Sequence, residues 1–248
     1  MKAPNRGLRF LPLILVCLAV TAFAKEKDKP TGDSLAEVTK QVKTAVAKGD
    51  VAAAKAAFAR ALQTRPRFKD KKLNSLVAAV GSGAKHKNTE LALAAIETLG
   101  GMKVKGSSKQ LAPLLSVPKK VDEERLEVHL AAIRATGQIS DPDSAKSLDK
   151  LILSPNEKVA VAAAESMEGF AGGLDTKVTN KQLGQLATTL EKLEASEKKA
   201  KKDEDTARIA TVKSALLKSV QKIAGSETID SSAALRGWLK EQKKEKKS

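Results

Sequence analysis

Two histidines are the natural place to look for chemistry in this chain, because an imidazole binds divalent metals and moves protons near neutral pH. His86 lies in the lysine-rich stretch Ala84-Lys85-His86-Lys87-Asn88, and His129 lies in an apolar run farther on. A metal site on a helix needs a second ligand about one turn away. Neither residue has another histidine or a cysteine three or four positions off, and no His-Glu dipeptide occurs. The glycines form no G-x-G-x-x-G and no G-K-[ST], so no phosphate cradle is signalled. Asp122-Glu123-Glu124 crowd what reads as a helix start, where the macrodipole favours acids without any catalytic role. The sequence therefore predicts no catalytic residue, no cofactor and no metal site, and a protein that is not an enzyme. His129 is expected to serve packing or the surface of a helix.

The residues that do carry information begin at the first methionine. Met1 to Arg9 holds Lys2, Arg6 and Arg9 and no acid, and Phe10 to Phe23 is almost wholly apolar. That run is too short for the ~20 residues of a membrane span and fits the ~7–15 of a signal peptide core. Ala22-Phe23-Ala24 supplies the small residues that a signal peptidase accepts. The expected organisation starts with a signal peptide over residues 1–24 cleaved after Ala24, a periplasmic or extracellular location, and no transmembrane segment after cleavage. The single cysteine, Cys17, leaves with the signal. Without it the mature chain has neither disulfides nor thiolate chemistry.

Lys and Arg number 45 against 29 Asp and Glu, a net charge of +16. Removing Lys2, Arg6 and Arg9 leaves about +13, so the mature chain stays strongly basic. Aromatic residues make up 2% of the chain, and beyond residue 24 they are Phe58, Phe68, Phe170 and Trp238, with no tyrosine. Alanine, leucine, lysine and glutamate dominate instead, and these form helices well. The missing β-branched and aromatic runs argue against a sandwich or barrel.

Two phrases nearly repeat: Leu93 to Gly101 reads LAAIETLGG, and Leu130 to Gln138 reads LAAIRATGQ. Around them Leu91, Ala95, Ile96 and Leu99 fall on one helical stripe, and Val128, Ala132, Ile133 and Thr136 repeat it. Val159, Ala163, Ala164 and Met167 make a third copy. Gly100-Gly101, Gly137, and Gly169 with Gly172-Gly173 are expected to close these helices in left-handed geometry. Shorter helices follow, at Gln110 to Leu115 and Ala145 to Leu153. Asp141-Pro142 and the capping-box pattern Ser154-Pro155-Asn156-Glu157 mark starts. Each period is a helical hairpin, and one hairpin cannot bury its own apolar face, so stacking supplies the core.

LALAAIETLGG with KQLAPLL, then VHLAAIRATGQISDPDSAKSLDKLI, then SPNEKVAVAAAESMEGF resemble HEAT repeats of the short bacterial type. The basic residue that often follows the first apolar position of such repeats is absent, since Ala92, His129 and Ala160 stand there. The fold class predicted is all-α, an α-solenoid of stacked antiparallel hairpins. Residues 25–33 are expected to be a flexible linker. Residues 34–87 are read as N-terminal hairpins, AVAKGDVAAAKAAFARALQTRP resembling a tetratricopeptide unit, with a helix from Lys72 to Val80. Residues 88–240 form the HEAT-like array, and 241–248 a basic disordered tail. Helices over Leu183 to Leu193 and Ile209 to Ile223 flank the charged run Ser196 to Asp205, which reads as solvated. In a last short helix, Asp230 to Lys240, Trp238 and Leu239 cap the core.

Two functions follow. In the first, the resemblance implies a monomeric interaction scaffold whose second helices line a concave surface for a protein or peptide partner, through Lys109, Gln110, Lys146, Lys150, Lys181 and Gln185. In the second, the charge binds an anionic polymer such as envelope polysaccharide, lipid headgroups or nucleic acid. Placement of the lysines discriminates: clustering along one concave face favours the anionic polymer, whereas lysines scattered around every helix with acids four residues away indicate mere solubility.

Overall fold

The structure is a computed structural model that describes residues 34–118, 120–172 and 175–245. The expected signal peptide and linker lie outside the described residues. Eleven α-helices and no strand occur among those residues. In chain order they are α1 (Leu35–Lys48), α2 (Val51–Thr64), α3 (Asn74–Ala84), α4 (Thr89–Met102), α5 (Lys105–Leu111), α6 (Glu123–Ile139), α7 (Pro142–Ile152), α8 (Glu157–Ser166), α9 (Thr176–Lys199), α10 (Asp203–Ala224) and α11 (Ser232–Glu245).

The chain starts these helices with short polar caps. Ser34, Asp50, Asn88, Asp122, Asp141, Asn156 and Asp175 each accept a backbone N–H of the first turn, which satisfies donors that have no partner within the helix. The cap of α8 is Asn156 rather than Ser154, whose hydroxyl instead accepts the Asn156 N–H at 3.2 Å. Pro142 sits at the first position of α7 as expected.

Successive helices alternate between two layers. The even helices α2, α4, α6, α8 and α10 pack side by side in one, while α1 and α3, α3 and α5, α7 and α9, and α9 and α11 pack in the other. Antiparallel neighbours such as α3 with α4, α7 with α8 and α9 with α10 join the layers. The fold is an α-solenoid of stacked hairpins. All twelve stripe residues read from the repeats are buried, from Leu91 to Met167. The one hydroxyl among them, on Thr136, donates to Ala132 O at 2.8 Å. Two apolar clusters form the core, and α6 divides them: Val128, Ala132 and Ala135 face the N-terminal cluster, Leu126, Leu130 and Ile133 the C-terminal one.

Gly172 takes the left-handed geometry expected of it (φ 72°), but Gly100, Gly101, Gly137 and Gly169 do other work. Gly100 and Gly101 lie inside α4, and Gly137 lies inside α6. The left-handed residues that end these helices are Lys103 (φ 48°) and Ser140 (φ 56°). Glycine is needed at 137 and 169 for close approach. A methyl on Gly137 would sit 2.5 Å from Ser166 O, and one on Gly169 would overlap the Gly137 carbonyl. Adjacent even helices thus meet backbone to backbone. The Ser140 hydroxyl lies 2.9 Å from Gly137 O and 2.5 Å from Gly169 O, sharing its proton across that seam.

Three further boundaries differ from the sequence expectation. The helix predicted over Lys72 to Val80 begins at Asn74 and continues to Ala84. The charged run divides between the end of α9 and the start of α10, leaving residues 200–202 as the link. α11 continues to Glu245, five residues into the stretch expected to be a tail. Leu239 is buried and Trp238 packs against the same cluster.

Candidate interaction surface

The two histidines are accounted for by structure. His129 Nδ1 donates to Leu114 O at 2.6 Å, because a carbonyl only accepts. His86 Nδ1 accepts the Asn88 N–H at 3.1 Å. No group of His, Cys, Asp and Glu suited to a metal occurs among the described residues.

Charge is where the two layers part. The odd helices carry sixteen Lys and Arg against eight Asp and Glu. The even helices carry nine against ten. The odd helices thus carry a net charge of about +8 and the even helices about −1. A surface serving only solubility mixes both signs throughout.

Grooves run between neighbouring odd helices. One of about 620 Å³ between α1 and α3 is flanked by Lys40, Lys43 and Lys72. A second of about 640 Å³, between α3 and α5, has Lys71, Lys105, Lys109 and Gln110 at its walls. A third of about 290 Å³, between α7 and α9, has Lys146, Lys181 and Gln185. Five of the six residues singled out from the sequence therefore line two of these grooves, Lys109 and Gln110 in one and Lys146, Lys181 and Gln185 in the other. Lys150 is exposed on α7 outside both. Lys40, Lys43, Lys71, Lys72 and Lys105 extend the basic face and were missed. Lys105 was within reach of sequence reasoning, one helical turn before Lys109.

Between α5 and α7 the charges are fixed by a small network. Lys105 Nζ is 2.8 Å from Asp143 and 3.9 Å from buried Asp141. The Ser108 hydroxyl donates to Asp141 Oδ2 at 2.6 Å. The hydrogen bond from Lys105 holds the Asp143 carboxyl below its usual range, helped by the charges of Lys105, Lys109 and Lys146. Asp143 is thus held ionised, paired with Lys105 and set in the field of Lys109 and Lys146, whose charge it partly offsets.

Asp149 behaves in the opposite way. Partial burial on α7 raises its pKa, against a 2.6 Å hydrogen bond from Thr189 Oγ1 and the charge of Lys192. A carboxyl whose folded pKa is raised stabilises the fold in its protonated form, and that contribution is lost as pH rises through the folded pKa. Asp149→Asn keeps an acceptor for Thr189 without a charge. It is expected to melt higher than the parent at pH 7, the gap closing as pH falls below the ordinary aspartate value, as thermal melts across pH 3 to 7 would show.

One buried group in the α7/α9 groove has no partner. Gln182 is 4% exposed, lines that groove, and neither its amide oxygen nor its nitrogen is hydrogen-bonded within the protein. Leaving such a group unpaired costs about 1–3 kcal/mol.

Residues 77–168, from within α3 to just beyond α8, match the family model of HEAT repeats, which supports a HEAT-repeat region there. Among solved structures the chain is similar to the crystal structure of an engineered protein, at 16% identity over 82% of this chain and 93% of that one, with a TM-score of 0.37. No curated protein matches it. No helix of the described residues is long and apolar enough to cross a membrane.

Proposed function

We propose that this protein is a non-enzymatic scaffold that holds an acidic protein or peptide partner along the layer of odd helices, acting outside the cytoplasm after loss of residues 1–24. The observation that carries the reading is the segregation of charge between layers, sixteen basic residues against eight acids on one side and nine against ten on the other. Long-range attraction steers an oppositely charged partner to that face and sets its orientation. Stacked repeats supply a long, rigid surface for it. HEAT repeats commonly serve as interaction scaffolds, and the matched region contributes α5 and α7 to this layer.

Crosslinking capture from the cell envelope, washed at low and at high salt, tests the proposal. The expected result is a defined protein retained at high salt. A chain with Lys43→Glu, Lys109→Glu and Lys150→Glu should lose at least tenfold in capture, while Arg134→Glu with Lys218→Glu on even helices should not. Capture of polysaccharide, lipid or nucleic acid alone, released as salt rises, would replace this reading with that of an anionic-polymer binder. Equal loss in both variants would remove the odd layer from the account. The recovered chain should begin at Lys25, which N-terminal sequencing checks.

A further inference from the structure

The two layers of the solenoid differ in continuity. On the even side α4 packs on α6 and α6 on α8 without a break. On the odd side α1 packs on α3, α3 on α5, α7 on α9 and α9 on α11, but α5 and α7 make no comparable contact with each other among the described residues. The core divides at the same place. Leu114 packs on the N-terminal apolar cluster, and its neighbour Leu115 belongs to the C-terminal one.

What joins α5 to α7 is polar. The Ser108 hydroxyl donates to Asp141 Oδ2 at 2.6 Å, and Lys105 Nζ lies 2.8 Å from Asp143 and 3.9 Å from Asp141. Asp141 is the one charged residue among the buried described residues, its side chain 5% exposed. Its other carboxylate oxygen accepts the Asp143 N–H at 3.3 Å. A hydrogen bond to an ionised acceptor is strong and directional. A buried carboxylate that loses its partners is costly until water reaches it. Elsewhere in the odd layer apolar packing fixes neighbouring helices, whereas here their spacing depends on whether this carboxylate keeps its partners.

We infer that the α5/α7 junction is a latch that sets the angle between the two halves of the array. With Ser108 and Lys105 engaged on Asp141 and Asp143, the halves are held together on the odd side. With these contacts released, the halves tilt apart about α6 while the even side stays packed. Release lets water reach Asp141, and hydration of that carboxylate is what favours the tilted form. Each half keeps its own apolar cluster throughout, so the motion is a rigid-body displacement and not local unfolding. It changes the distance from the lysines of α3 and α5 to those of α7 and α9, and the latch operates whether or not the odd layer is the one that binds a partner.

The chain from Lys25 onward holds no cysteine, so pairs of spin labels can be placed at will and their separation read by pulsed electron resonance. Ser75→Cys on α3 with Lys181→Cys on α9 spans the junction, and Lys150→Cys on α7 with Lys240→Cys on α11 stays within one half; all four positions are exposed. In Lys105→Gln/Ser108→Ala the spanning distance should lengthen and its distribution widen roughly twofold, as two populations replace one. The distance within the half should not move. Adding Asp141→Asn keeps an acceptor at the start of α7 and removes the charge, and should return the spanning distance toward that of the parent. Lys105 is exposed, so Lys105→Gln alone leaves both cores untouched and should give part of the effect even if the double variant fails to fold. An unchanged spanning distance in either variant, equal widening of both label pairs, or no recovery with Asp141→Asn overturns the latch.

Discussion

A chain carrying Ile133→Asp is expected to lose its cooperative helical melt, or to melt far below the parent. Ile133 is fully buried on α6, in the cluster that also holds Leu148, Val159 and Leu186. None of the apolar side chains there offers a partner to a carboxylate. An unpaired charge in such a place belongs to the few changes that cost more than ~4–5 kcal/mol, a large share of the ~5–15 kcal/mol that holds a domain together. Ile133→Val removes one methylene and should cost only about 1 kcal/mol. Circular dichroism melts of both variants check the assignment, and an unchanged melt for Ile133→Asp would contradict it.

Gly169→Ala adds a single methyl group and should nevertheless be the most damaging small substitution in the array. The new carbon would fall on the Gly137 carbonyl, whose carbon lies 2.7 Å away. Flexible side chains yield to overpacking at about 1–3 kcal/mol, but the backbone carbonyl in the last turn of α6 moves only with the chain that carries it. A loss at or above the top of that range is expected, a fall in melting temperature of roughly 6 °C or more. Gly184→Ala, where nothing lies within 4 Å of the added carbon, provides the contrast and should be neutral or mildly stabilising. Comparable melts for the two alanine variants would show that the turn after α8 does not meet the backbone of α6 at Gly137.

The helical periods were plain in the sequence because burial enforces them: a stripe such as Leu91, Ala95, Ile96 and Leu99 has to be apolar whatever its partner is. Gly100, Gly101, Gly137 and Gly169 were misread because two different demands select the same residue. Positive φ and close approach both favour a missing Cβ, and only the neighbouring helix, far away in sequence, tells them apart. Lys103 and Ser140 accept the left-handed position that glycine was expected to fill, as polar residues on exposed helix ends can. The lysines of the candidate surface were found by their place on second helices. Their segregation from the acids was hidden, because the chain alternates layers every 15 to 29 residues and averages the two charges along its length. Gln182 carried no signal at all in sequence, since an unpaired amide is a property of surroundings and not of spacing.

The two apolar clusters share one helix, and this bears on how the molecule comes apart. A repeat array held by contacts between neighbours alone can fray from either end, unit by unit. Here α6 presents Val128, Ala132 and Ala135 to one cluster and Leu126, Leu130 and Ile133 to the other. Neither half can be lost without stripping a face of this helix. Its amides should therefore exchange with solvent only through global opening, more slowly than those of α1 or α11, and the array should respond to heat or to pulling as one unit hinged on its centre.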